Sequence, residues 1–205
     1  MPVPLVLASQ SPARLSTLRS AGVEPRVIVS HVDEDAVLAS LPDGTGPADA
    51  VLALARAKAE EVVAKHAPNA LVLGCDSMLE FGGEILGKPG NAGTAIVRWR
   101  QMRGSTGVLH TGHWLVDARN GRAAKQTGAT SSTTVHFADL TDEEISAYVA
   151  TGEPLNVAGA FTVDGLGGPY VEAIDGDYHG VVGVSLPLLR HLLSEFGVAF
   201  HDLRA

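Results

Sequence analysis

The sequence predicts an α/β fold built on a mixed, twisted sheet flanked by helices, and three observations lead there. Short runs of apolar residues alternate along the chain with helical patterns. Two tight-turn signals, Gly82-Gly83 and Asn120-Gly121, each lie between strand-like runs and require antiparallel pairing. The run Leu71-Val72-Leu73-Gly74-Cys75 is apolar without alternation, as in a strand covered on both faces by helix layers.

The elements follow in order. Val3 to Ala8 reads as the first strand and passes into Ser9-Gln10-Ser11-Pro12-Ala13-Arg14. Ser11 suits an N-cap and Pro12 the first helical position, while Leu15 and Leu18 open the apolar stripe of a helix over 12–21. A second strand is expected over 25–31, and Asp33 to Pro47, rich in glycine and proline, reads as a mobile loop. A helix over 47–66 precedes a strand over 70–79, which turns at Phe81-Gly82-Gly83-Glu84 into a short partner over 84–87. A helix over 91–103 leads to strand-like runs at 108–117 and 130–137, with Asn120-Gly121 as the hairpin signal between them. Thr141-Asp142-Glu143-Glu144 has the form of a capping box ahead of a helix over 141–151. A last strand is expected at 158–163, then a flexible stretch from Gly165 to Pro169, then a helix over 186–196. With no repeat, low-complexity tract or polar linker, residues 1–205 read as a single domain.

Composition narrows the function. The chain is 45% hydrophobic and 19% charged, with no apolar run near the roughly 18 residues of a bilayer span, so no membrane partner is expected. The formal net charge is −8 and no lysine or arginine cluster stands out, which argues against a nucleic-acid partner. Cys75 is the single cysteine, so no internal disulfide can form; this and the absence of a signal-like start give a cytoplasmic expectation. The apolar segment from Val181 to Leu193 would suit a homodimer contact and a buried helix equally well.

Several residues carry chemistry. The strand-to-helix turn at Ser9 to Arg14 aims backbone N–H groups and a helix dipole outward beside a cation, which suits a phosphate as well as an ordinary capped helix. Asp76 follows the apolar run where a general base or metal-binding acid would be sought, though a turn or capping acid has the same appearance. Lys58 falls among Val51, Ala55 and Val62 on the apolar stripe of its helix, so it must either snorkel to water or meet an anion. Gly82 to Pro89 nearly matches a P-loop, but Pro89 replaces the required hydroxyl and Glu84-Ile85-Leu86 reads as strand. Lys88 can still present a charge from the end of that hairpin. Val32-Asp33-Glu34-Asp35 reads as a solvated acidic loop unless it faces Asp76, in which case magnesium could be held by carboxylates, phosphates and water. His110-Thr111-Gly112-His113 lacks the flanking pattern of a zinc site, and no G-x-S-x-G supports a serine hydrolase.

Taken together, these segments resemble the Maf family of nucleotide pyrophosphatases, within the inosine-triphosphate-pyrophosphatase-like superfamily. The matching pieces are L-A-S-Q-S-P-A-R at 7–14, V-D-E at 32–34, A-R-A-K-A at 55–59, G-C-D-S at 74–77 and I-L-G-K-P at 85–89. They continue with T-G-E-P at 151–154, A-G-A-F at 158–161, I-D-G-D-Y at 174–178 and V-V-G at 181–183. The resemblance implies two lobes around a central cleft and hydrolysis of a nucleoside triphosphate to the monophosphate and pyrophosphate, with a divalent metal, Mg2+ or Mn2+. It implies that Asp76 is the catalytic proton acceptor, that Ser9, Arg14, Lys58 and Lys88 hold the polyphosphate, and that Glu34 joins Asp76 near the metal. Removal of non-standard or surplus nucleotides is the implied role. A nucleotide-binding regulator of septum formation, without essential turnover, is the alternative.

Three departures accompany the match. Ala13 stands where the family commonly has a second arginine before Arg14. Ser77 and Asp164, the positions that would contact substrate next to the catalytic acid and at the base, fit neither the pyrimidine branch nor the 7-methylguanosine branch. The resemblance therefore assigns no base preference.

Overall fold

The computed structural model describes residues 1–204. Its strands are β1 (Leu5–Leu7), β2 (Arg26–Val27), β3 (Leu71–Phe81), β4 (Glu84–Leu86), β5 (Thr106–Asp117), β6 (Lys125–Phe137) and β7 (Val171–Asp175). Its α-helices are α1 (Pro12–Ser20), α2 (Glu34–Ala39), α3 (Pro47–His66), α4 (Ala92–Met102), α5 (Asp142–Ala150), α6 (Tyr178–Val182) and α7 (Leu186–Ser194). The strands pair in the order β2-β1-β3-β5-β6-β7, with β4 on β3. β1 runs parallel to β2 and β3, whereas β3–β4 and β6–β7 are antiparallel, so the sheet is mixed as expected. Among the described residues, no helix is long and apolar enough to cross a membrane.

The chain divides into two compact units. The first contains Met1–Asp76, Thr111–Ser131 and the described part of Gly183–Ala205; the second contains Ser77–His110 and Ser132–Val182.

In the first unit the sheet is covered on both sides. Leu5, Leu7, Leu71, Leu73 and Cys75 pack with Leu18 of α1 and Leu189, Leu192 and Leu193 of α7. Val6, Ala8, Val72 and Val116 face the other way and pack with Ala59, Val62 and Val63 of α3. Two-sided burial is why 71–75 shows no polar alternation. It also places the apolar face of α7, read as suiting either a dimer contact or a buried helix, inside the chain's own core.

In the second unit, Leu79, Leu109, Val135 and Phe137 pack with Trp99 of α4 and with Ile145 and Tyr148 of α5. Trp99 is the centre of this core. It meets Phe137 and Tyr148 edge-on at 5.7 Å each, and its indole N–H donates to the Ala160 carbonyl at 2.8 Å.

Local signals explain most boundaries. Pro47 opens α3 at N1 and Ala67 ends it in a left-handed conformation. Gly82 and Gly83 have φ of 60° and 82°, the pair of positive values that a two-residue hairpin turn needs, with Phe81 facing Glu84. Thr141 and Glu144 form the expected capping box.

Three expectations need correction, and one strand was not anticipated. The 33–47 loop contains α2, capped by the Asp33 side chain on Ala36 N. The strand expected at 25–31 is paired only at Arg26–Val27. The strand expected at 158–163 begins instead as a 3₁₀ turn, Ala158–Ala160, because Gly159 and Ala160 both take positive φ. Gly159 lies so close to Leu79 that a Cβ would stand 2.6 Å from its Cδ2, so packing rather than strand propensity shapes this segment. β7 escaped notice because as a sheet-edge strand it is mostly exposed and lacks a buried apolar alternation.

Candidate active site

Asp76 owes its surroundings to two glycines. Gly74 and Asp76 lie on the same face of β3, two residues apart. A Cβ on Gly74 would stand 2.1 Å from the Ala55 carbonyl oxygen, and one on Gly112 of β5 would stand 2.4 Å from the Val51 oxygen. The backbone of α3 can therefore lie almost on the sheet. Lys58, one turn after Ala55, reaches Asp76: its Nζ is 2.5 Å from Asp76 Oδ1 and 2.7 Å from Glu34 Oε1. The Lys58 and Asp76 side chains are each 12% exposed, whereas Glu34 is half exposed. The cation on the apolar stripe thus meets two anions. Asp76 lies within β3 rather than at its carboxyl end, but the paired register of β1 with β3 stops at Leu7↔Leu73, before Asp76 is reached.

Glu34 is held in place by its neighbours. It is the first residue of α2, and the Asp33 cap fixes the start of that helix. Just upstream, Glu61 of α3 accepts from His31 N at 2.9 Å and from Lys65 Nζ at 2.6 Å. Burial alone would raise the Glu61 pKa, but hydrogen bonds from Lys65, Ser30 and His31 outweigh it and hold it down at about 2. The acidic segment is thereby tied to the helix that carries Lys58.

The first turn forms the other side of the site. Ser11 caps α1, and Ser9, 9% exposed, accepts from Ser11 N at 3.2 Å. Arg14 does not extend into solvent. Its guanidinium donates to Ser9 Oγ at 3.1 Å, to the Cys75 carbonyl at 2.9 Å and to the Gly183 carbonyl at 3.0 Å. Gly183 has φ of 125°, and a Cβ there would stand 3.2 Å from Arg14 Cγ and Nε, so glycine leaves space for this fork. Arg14 therefore braces the backbone one residue before Asp76. Burial pushes the Cys75 thiol up to about 12, Arg14 and Lys58 pull it down and Asp76 pushes it further up, which leaves no thiolate for chemistry.

The structure brings Asp76, Lys58, Glu34, Ser9 and Arg14 together in the first unit. Ser77 follows Asp76 in β3 on the opposite face and belongs to the second unit, as do Lys88 and Asp164. Lys88 is exposed beyond β4, next to Gly87, whose carbonyl accepts from Arg98 at 2.5 Å. Asp164 is exposed on the loop that follows the Ala158–Ala160 turn.

Two carboxylates closing on one ammonium make a position that favours positive charge. Asp76 and Glu34 are hard oxygen donors that fit Mg2+ or Mn2+ when phosphate oxygens and water supply the remaining ligands. Among the described residues no three His, Cys, Asp or Glu side chains gather as a complete metal-binding group, so the fit is of that shared kind.

Sequence reasoning missed Glu61, and it weighed His113 only as a zinc ligand and not in the role it takes here. Glu61 gave a signal only in its spacing to Lys65, which is usual on exposed helix faces. His113 is wholly buried: Nδ1 donates to the Thr111 carbonyl at 2.9 Å and Nε2 accepts from Ser185 N at 2.8 Å. It thus ties β5 to the segment whose Gly183 carbonyl holds Arg14. His110, its neighbour in sequence, has a separate role in the second unit, between Ser132 Oγ at 2.8 Å and Glu80 Oε2 at 3.0 Å.

Comparison with known proteins adds an independent finding. A family model described as "Maf-like protein" matches residues 4–196. A nucleoside triphosphate pyrophosphatase of Salinispora tropica is 56% identical over 207 residues, covering 99% of this chain and 88% of that one. One of Streptomyces avermitilis is 55% identical over 200 residues, covering 97% and 93%. A solved structure of a HAM1 protein from Coxiella burnetii is 16% identical with a TM-score of 0.42, covering 67% of this chain and 74% of that one.

Proposed function

The chain belongs to the Maf family, and we propose that it hydrolyses a nucleoside triphosphate to the monophosphate and pyrophosphate. The observation that carries the mechanism is the Lys58 ammonium held between the Asp76 and Glu34 carboxylates. Asp76 is the general base. It takes a proton from the water whose oxygen bonds to the α-phosphorus, while the bond from that phosphorus to the bridging oxygen breaks and pyrophosphate leaves with the electron pair. Lys58 orients Asp76 through their direct contact, and its charge is placed to offset the negative charge that grows on the phosphoryl oxygens. Ser9 and the N–H groups opening α1 bind phosphate oxygens, and Arg14 holds Ser9 and the Cys75 carbonyl in register.

Asp76 and Glu34 would hold the divalent metal, Mg2+ or Mn2+, which when bound supplies charge neutralisation and polarisation of phosphate oxygens. Lys88, Ser77 and Asp164 complete the substrate contacts in this reading, on the resemblance of their sequence segments. The biological role it supports is removal of non-standard or surplus nucleotides from the cytoplasmic pool.

The test is a panel of natural and modified nucleoside triphosphates with Mg2+ or Mn2+, scored for pyrophosphate with wild type and Asp76→Asn. The expected result is pyrophosphate from wild type and at least a 100-fold loss in the variant. Release of orthophosphate alone would replace the reaction. Binding without turnover of any triphosphate would favour the regulatory alternative.

A further inference from the structure

Three polar side chains of the second unit form a hydrogen-bonded row that the phosphate chemistry does not use. Glu80 of β3, His110 of β5 and Ser132 of β6 stand on three neighbouring strands. His110 Nε2 lies 3.0 Å from Glu80 Oε2, and its Nδ1 lies 2.8 Å from Ser132 Oγ. Leu79, Leu109 and Val135 pack into the Trp99 core, so strand alternation puts Glu80, His110 and Ser132 on the opposite face of the sheet. There His110 is 7% exposed, whereas Ser132 is open to solvent.

The order of donors gives the row a direction. A carboxylate oxygen only accepts, so Nε2 carries the ring proton and donates to Glu80. Nδ1 then turns its lone pair to Ser132, whose hydroxyl donates to it. Nucleophile, base and orienting acid follow one another at hydrogen-bonding distance, which is the arrangement that activates a serine. The backbone beside Ser132 is fixed as well. Thr133, 2% exposed, accepts through Oγ1 from Asp177 N at 3.1 Å, and a Cβ on Gly176 would stand 2.9 Å from that same oxygen.

We propose that Ser132 is a nucleophile for acyl transfer, with His110 as its general base and Glu80 as the group that orients the imidazole. The site lies wholly in the second unit and works independently of the triphosphate reaction. Ser132 Oγ bonds to the carbonyl carbon of an ester while its proton passes to His110 Nδ1. The carbon–oxygen bond to the leaving group then breaks, and the leaving group departs with the electron pair and takes up that proton. An acyl-serine remains, which water hydrolyses with His110 again as base. Ser132 stands on an extended strand and not on the strained turn of a G-x-S-x-G hydrolase. Its substrates are therefore activated esters of small carboxylic acids, whose weakly basic leaving groups need little further help.

The experiment treats the full chain with p-nitrophenyl acetate, follows p-nitrophenolate release and locates the acetyl group by peptide mass mapping. Ser132 should be acetylated at least about 100-fold faster than the exposed Ser16 of α1. His110→Gln should remove that advantage, and Glu80→Gln, whose amide oxygen still accepts from Nε2, should reduce it about 10-fold. Ser132→Cys gives a reading that does not depend on how well the histidine variant folds. The new thiol should react with iodoacetamide at pH 6 at least about 10-fold faster than free cysteine, while buried Cys75 stays slow. Ser132→Ala should leave pyrophosphate release unchanged. Acetylation of Ser132 no faster than of Ser16, or undiminished in folded His110→Gln, would reduce the row to cross-strand packing and overturn the proposal. A thiol in Ser132→Cys no more reactive than free cysteine would overturn it too, as would a fall in pyrophosphate release in Ser132→Ala that parallels the loss of acylation.

Discussion

Lys58 Nζ lies 2.5 Å from Asp76 Oδ1, in a pair whose side chains are each 12% exposed, and the same nitrogen reaches Glu34 Oε1 at 2.7 Å. A pair removed from water to this extent is costly to break from one side, because the partner is left charged and poorly solvated. Lys58→Met should therefore destabilise the protein by about 3 kcal/mol in urea titrations. Asp76→Asn leaves Lys58 with Glu34 and should cost less. In both variants pyrophosphate release should fall by at least about 100-fold, through loss of the oriented base. Near-wild-type turnover in Lys58→Met would remove Lys58 from the mechanism.

Gly74→Ala tests how α3 is brought to the sheet. The added methyl would meet the Ala55 carbonyl, which belongs to the helix backbone and can move only with the helix. The expected loss is about 1–3 kcal/mol, with reduced turnover as Lys58 withdraws from Asp76. Gly46→Ala is the control, since a Cβ there has nothing within 4 Å. Equal Tm shifts in the two variants would argue against the close approach.

The Glu61 carboxylate makes an acid-stability prediction. Its folded-state pKa of about 2 lies below the ordinary 4.5, so the unfolded chain takes up the proton first as pH falls. The stabilisation is complete above about pH 4.5 and is lost progressively toward pH 2, on the order of 3 kcal/mol in all. Glu61→Gln should lower stability at neutral pH and flatten the pH dependence across that window in denaturant titrations. A wild-type acid limb retained in the variant would assign that pH dependence to other carboxylates.

Cys75 is fully buried with its thiol pushed up to about 12. A thiol reagent at pH 8 should label the native protein at least about 100-fold more slowly than the unfolded chain. Rapid native labelling would mean that β3 opens readily beside Asp76.

Much of this protein could be read along the chain. Pro47 and the apolar period set the bounds of α3, Gly82-Gly83 set a hairpin turn, and Thr141 with Glu144 set the start of α5, since each is a local interaction among near neighbours. Readings failed where distant contacts decide. Gly159 and Ala160 leave strand geometry where Gly159 lies against Leu79, and α2 forms in a segment tied to α3 by Glu61.

The site divides the same way. The sequence by itself determined that a lysine lies on the apolar stripe of α3 and that an aspartate follows a run buried on both faces, because helix and strand periods are local properties. Only the tertiary structure decided that Lys58 meets Asp76 and Glu34 and that Arg14 turns inward to Cys75 and Gly183. Those meetings depend on how closely two backbones approach, and at Gly74 that distance is set by the absence of a single methyl group.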